Sequence, residues 1–129
     1  MGFSETLSIS ASGMQAQTER LRHVSENIAN SDTPGYHRKT VSFQALVEGG
    51  TDTGKVAVGD VALDQTALEQ IYDPSHPMAD GSGHYQGSNV DLLVEIADAR
   101  EAQRSYDANL KMFDQVRRMS SSLMDLLRR

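Results

Sequence analysis

Apolar residues recur at a strict seven-residue step near the start of the chain, at Leu7, Met14, Leu21 and Ile28, with Phe3 and Val24 on the intervening position and Ala11 beside them. A seven-residue step keeps side chains on one face of an α-helix, so the pattern predicts a long N-terminal helix over residues 1–30 with a coiled-coil-like seam. Ser10 and Gln17 occupy the other seam positions, which leaves the stripe narrow and polar along one edge. A helix of about 26 residues and ~40 Å with so narrow a stripe needs a partner to be stable.

A second helical stripe supplies one. Leu92, Ile96, Ala99, Gln103, Tyr106, Leu110 and Phe113 alternate steps of four and three, and Val116, Met119, Leu123 and Leu126 continue it. Ser88 is expected as the N-cap, with Asp91 three residues on, close to a capping box. The helix should then run for about 38 residues, or ~57 Å. On its polar face, Asp107 with Lys111 and Asp114 with Arg118 have the acid-first spacing that supports a helix.

Residues 31–88 carry no helical period. Lys39–Phe43 and Lys55–Val58 are short β-forming runs with Gly49-Gly50 between them, which predicts a short β-hairpin. Asp73–Gly83 is a loop punctuated by Pro74, Pro77, Gly81 and Gly83. The expected fold is therefore mainly α: a discontinuous helical domain from 1–30 and 89–129, packed as a coiled-coil-like pair, with 31–88 as a turn, short β and loop excursion.

The central segment holds eight acids against three bases, and most of the net charge of -6, so it would repel a phosphate backbone; nucleic-acid binding is not expected. No apolar run is long enough to span a membrane, and no secretory signal is expected at an acid-bearing start. Without cysteine there is no disulfide, thiolate metal site or Cys nucleophile. Asp73, His76, Asp80 and His84 have a spacing that can suit a transition metal, but the prolines and glycines among them forbid the regular helix that would align them, and a turn-rich loop is expected instead. His23 and His37 read as surface or interface residues. Gly81–Gly87 lacks the Lys and hydroxyl ending of a phosphate-binding loop. Neither a cofactor nor an enzymatic function is expected. A helical adaptor or regulator is the alternative to an assembling subunit.

The first helix ends on an elaborate stop, Ile28-Ala29-Asn30-Ser31-Asp32-Thr33-Pro34-Gly35-Tyr36. This stretch resembles the Ala-Asn-x-x-Thr-Pro-Gly-Tyr signature that closes the N-terminal helix of bacterial flagellar rod and hook proteins. Tyr72–Asp80, YDPSHPMAD, is similar to the Asp-Pro-x-His-Pro-x-Ala-Asp tract of the proximal rod members, and Ala102–Leu110, AQRSYDANL, to their Ala-x-Arg-x-Tyr-x-Ala-Asn stretch. Gly87-Ser88 departs from the proline-containing lead into Asn89, and Met78 stands where an acid is common.

The resemblance implies a structural subunit of the flagellar basal body, polymerising with itself and other rod proteins into a periplasm-spanning helical tube that transmits torque. It implies export by the flagellar type III apparatus without a cleaved signal peptide. Leu7, Met14, Leu21, Ile28, Tyr106, Leu110 and Phe113 are expected to form the assembly interface. Ala29, Asn30, Thr33, Pro34, Gly35 and Tyr36 are expected to fix the chain's exit from the helix.

Overall fold

The computed structural model describes residues 2–128; the outermost residues of the expected helical segments, 1 and 129, lie outside them. Helix α1 spans Phe3–Ala29 and helix α2 spans Leu92–Leu127. Between them come β1 (Lys39–Glu48), β2 (Thr51–Leu63), β3 (Gln70–Tyr72) and β4 (His84–Gln86).

The helices run antiparallel. Asn27 near the end of α1 meets Glu95 near the start of α2, Arg20 meets Asp98 and Glu101, and Gly13 faces Asn109. Their contact is close because Gly13 has no side chain: a Cβ there would lie 2.9 Å from Asn109 Nδ2. Toward α1, α2 buries Glu95, Ala102 and Val116, with Ala99, Tyr106, Asn109 and Phe113 half-buried beside them. The facing positions of α1 are Ser10, Gly13, Gln17, Arg20, Val24 and Asn27, of which Ser10, Val24 and Asn27 are buried. The seam between the helices is thus made of small and polar residues, and the only buried apolar side chains among the described residues are Ala16, Val24, Ala102 and Val116.

The hairpin is longer than the two expected runs. Its strands pair antiparallel from Lys39↔Leu63 to Glu48↔Thr51 and turn at Gly49 and Gly50, both at positive φ (57 and 78). Positive φ at both turn residues gives a twist that matches the flanking strands and costs glycine least. The register shifts twice, and at the second shift Thr53–Lys55 form a bulge: Thr53 Oγ1 donates to the Leu46 carbonyl and Gly54 N donates to Asp52 Oδ1. These bulges let two apolar runs of unequal spacing remain on one ribbon. The ribbon lies along α1, where Val56 N donates to Ser12 Oγ at 3.1 Å and the bulge at Gly54 touches Ile9.

Two local expectations are corrected. Asp91, not Ser88, caps α2: its carboxylate accepts from Leu93 N at 3.0 Å, and the helix begins at Leu92. Asp114 pairs with Arg117 at 3.6 Å, three residues on, rather than with Arg118, and Asp107 and Lys111 make no ion pair. Asp73–Gly83 is a loop, as expected, and it joins β3 to β4, which pair antiparallel from Gln70↔Gln86 to Tyr72↔His84.

Candidate assembly interface and its junction

An α-helix turns about 100° per residue, so residues seven apart stay on nearly one line. On α1 the Gly13–Arg20–Asn27 line faces α2, while Ile9, Ser12 and His23 lie toward the hairpin. Leu7, Met14, Leu21 and Ile28 fall on the remaining flank, away from the hairpin. The first three are half-buried and Ile28 is exposed. On α2 the line that meets α1 runs through Glu95, Ala102, Asn109 and Val116, and Leu92, Ile96 and Leu110 are turned by about a quarter of a circle from it. Because the helices are antiparallel, both flanks face the same side of the pair. Tyr106 and Phe113 stand half-buried at the border and Leu110 is 40% exposed. Leu7, Met14, Leu21, Ile28 and Leu110 therefore share one face, Tyr106 and Phe113 are turned from it toward α1, and the stripe drawn through Leu92, Ile96, Gln103 and Leu110 is not the one that α1 covers. Beyond it, Met119, Leu123 and Leu126 are also exposed and form a shallow apolar groove with Phe3.

At the α1 exit the stop sequence is tied down at both ends. Asn30 caps α1, its side chain donating to the Glu26 carbonyl at 2.9 Å. Thr33 N donates to the Asn30 carbonyl at 3.0 Å and Thr33 Oγ1 to Asn30 Oδ1 at 3.1 Å, closing a tight turn. Pro34 follows where no amide donor is needed, and Gly35 takes φ 75. Gly35 N then donates to the carbonyls of Gln86 and Gly87, and the Ser88 hydroxyl donates to the Ser31 carbonyl. Ala29, the last residue of α1, is exposed. Ser88, expected as a helix cap, is thus a buried clasp on this turn.

Below the turn lies a polar junction that pattern reading missed. Asn27 and Glu95 are both fully buried. Asn27 Nδ2 donates to Glu95 Oε2 at 3.2 Å and to the Lys39 carbonyl at 2.9 Å; its Oδ1 accepts from Tyr36 Oη and Lys39 N, both at 2.8 Å. Arg38 Nε donates to Glu95 Oε1 at 2.6 Å, and the guanidinium also reaches Asp98 and Asp64. Asn89 accepts from Arg38 N at 2.6 Å and donates to the Asp64 and Thr66 carbonyls. One node therefore joins α1, the signature turn, both hairpin strand ends and α2. The only sequence signal for it is that Gly13, Arg20 and Asn27 repeat a seven-residue step of their own, with no apolar member to draw notice.

Burial alone would lower the pKa of Arg38, but the hydrogen bond and charge of Glu95 outweigh it and raise the guanidinium above its ordinary value. Burial raises Tyr36. The hydrogen bond to Lys39 lowers Glu26 and correspondingly raises Lys39. His23, expected at the surface or an interface, is buried beside this node, its ring nitrogens without a hydrogen-bond partner among the described residues, 3.8 Å from Glu26 and 4.0 Å from Glu19. His37 is half-buried with Nδ1 2.9 Å from the Asp64 carbonyl.

The histidine tract is folded on itself. His76 stacks on Tyr85 at 3.8 Å, His84 packs against Tyr72, and Asp80 accepts from the Ser82 hydroxyl and the amides of Ser82 and His84. The Ser82 hydroxyl contact is the main cause of a lowered Asp80 pKa. Among the described residues no group of three or more His, Asp or Glu is placed to hold a metal ion.

Two family models match the chain. Residues 7–37 match the flagella basal body rod protein model, covering most of α1 and the signature turn, and residues 82–126 match the C-terminal model of the flagellar basal body rod FlgEFG proteins, covering β4 and nearly all of α2. The chain is 44% identical over 127 residues to the flagellar basal-body rod protein FlgC of Agrobacterium fabrum, across 93% of this chain and 91% of that one. It is 33% identical to FlgC of Escherichia coli O157:H7, across 98% of both chains, and 32% identical to FlgC of Bacillus subtilis, across 94% of this chain and 95% of that one.

Proposed function

We propose a mechanism of assembly from one premise: this chain belongs to the flagellar basal-body rod protein FlgC family, and is a structural subunit of the flagellar basal-body rod rather than an enzyme. The family places it in the basal body, where rod proteins assemble with one another. Among the described residues no helix is long and apolar enough to cross a membrane.

The segments 1–30 and 89–129 act as one coiled-coil-like assembly domain, and the side carrying Leu7, Met14, Leu21, Ile28, Tyr106, Leu110 and Phe113 packs against neighbouring rod subunits. The single observation that supports this is the division of labour between two lines on α1. The Ser10–Gly13–Gln17–Arg20–Asn27 line meets α2, while the apolar seven-residue line lies on another flank, with Leu7, Met14 and Leu21 only half-buried and Ile28 exposed. Burying each exposed Leu, Met or Ile contributes about 1.5–3 kcal/mol, which is large beside the thin internal core.

Repetition of such a contact without closure gives a helical tube, and the tube carries torque. Ala29, Asn30, Thr33, Pro34, Gly35 and Tyr36 hold the angle at which the hairpin leaves the helices, so that every copy presents the same outer surface. Export proceeds through the flagellar type III apparatus without a cleaved signal peptide, and the neighbours are further copies and other rod proteins.

Leu110→Asp tests the proposal. The purified variant should retain wild-type helicity while cells carrying it fail to build a rod or swim. Normal swimming by cells that export the variant at wild-type levels would overturn the assignment of this face.

A further inference from the structure

We infer that the hairpin tip of one copy docks on the outer face of α2 in a neighbouring copy. The inference rests on the assembly proposal and adds a second, electrostatic contact to it. The tip combines an exposed apolar side chain with uncompensated acid. Val47 is 55% exposed, its cross-strand partner is Asp52, Glu48 follows it, and neither acid has an ion-pair partner among the described residues. On the face of α2 turned away from α1, Arg100, Arg104 and Lys111 are exposed, and among the described residues none of them has an ion-pair partner. Between Arg104 and Lys111 a shallow depression has Ala108 as part of its lining, with Asp107 the one acid beside it.

The two features are complementary in sign and in shape: a single β-branched side chain between acids, and a small-residue depression between bases. They cannot meet within one molecule. The bulge near the tip touches Ile9, so the hairpin lies along a flank of α1, while the basic face of α2 points away from α1 on the opposite side. A contact between opposite flanks is heterologous, the type that continues from copy to copy. The surface charges set register and exclude misaligned neighbours more than they supply affinity.

The chain has no cysteine of its own, so an engineered pair reports without background. A chain carrying Val47→Cys and Ala108→Cys, in cells that still swim, should give a ladder of cross-linked copies in isolated basal bodies, and each single variant should give none. No cross-link in a rod that has assembled, or a link to a different rod protein only, overturns this contact while leaving the assembly proposal intact. Failure of the double variant to assemble is covered by charge reversal. Arg104→Glu should reduce swimming, and adding Glu48→Lys should restore it; absence of restoration in variants of unchanged helicity overturns the contact as well.

Discussion

Asn27 and Glu95, 68 residues apart in the chain, meet where solvent is fully excluded, and a single carboxamide there serves Glu95, Tyr36 and both backbone groups of Lys39. The contact makes helix pairing and hairpin placement one event. Asn27 cannot satisfy the Lys39 amide and carbonyl unless the turn at 30–36 is formed, and it cannot satisfy Glu95 unless α2 is docked.

Replacing Asn27 with Leu should therefore destabilise more than its change in size suggests. It leaves one oxygen of the buried Glu95 carboxylate, a phenol and two backbone groups without this partner, at a cost of about 3 kcal/mol. Thermal unfolding followed by circular dichroism should show it. Glu95→Gln, which keeps the shape and much of the hydrogen bonding but leaves Arg38 without its closest carboxylate, should cost less than Glu95→Ala.

Gly13→Ala tests the close helix contact. Elsewhere in a helix the change would stabilise by about 0.8–1.0 kcal/mol. Here the new Cβ meets Asn109 at 2.9–3.0 Å, and the Asn109 side chain is held by the Ser105 carbonyl at 2.9 Å. The variant should melt below the wild type, and Asn109→Ala added to it should recover stability by removing the obstacle.

Gly35→Ala probes the signature turn. Nothing lies within 4 Å of the new Cβ, so any loss comes from the φ of 75 alone and should be about 1 kcal/mol. A much larger loss, measured by chemical denaturation, would show that the turn tolerates no adjustment.

Stability should fall at both extremes of pH. The Glu26 pKa is lowered from 4.5, chiefly by the Lys39 hydrogen bond, and that of Asp64 from 3.8, chiefly by the Thr66 hydroxyl. Lowered carboxylates stabilise above their unfolded values, and the contribution is lost as pH falls through the folded ones. Tyr36 is raised from 10.0 by burial and Lys39 from 10.5 by its hydrogen bond to Glu26. A raised group stabilises below its unfolded value and loses that contribution as pH climbs through the folded one. Melting temperature against pH should accordingly drop below about pH 4 and above about pH 10. Lys39→Met should soften both limbs, because it removes the Lys39 titration and the partner that lowers Glu26.

Much of this molecule was legible in its sequence. Leu7, Met14, Leu21 and Ile28 announced α1, the four-and-three stripe announced α2, Gly49-Gly50 marked the hairpin turn, and Asn30 to Tyr36 marked the helix exit. These are local signals: periodicity follows from helix geometry, and turn residues act through their own φ and missing donors. The resemblance in the same stretches pointed to a flagellar rod subunit.

The tertiary structure decided which line of each helix meets the other. Sequence alone favoured the apolar stripes for that contact, since burial of Leu and Met is the strongest general drive. The helices instead meet through Ser10, Gly13, Arg20 and Asn27 against Glu95, Ala102 and Asn109, because Gly13 permits close approach and Asn27, Glu95 and Arg38 satisfy one another once the hairpin is in place. Buried polar partners are specific only in three dimensions, where a donor 68 residues away can be found within 3.2 Å. A hydrophobicity pattern therefore records which residues avoid water, and the fold determines whether their own chain or a neighbour covers them.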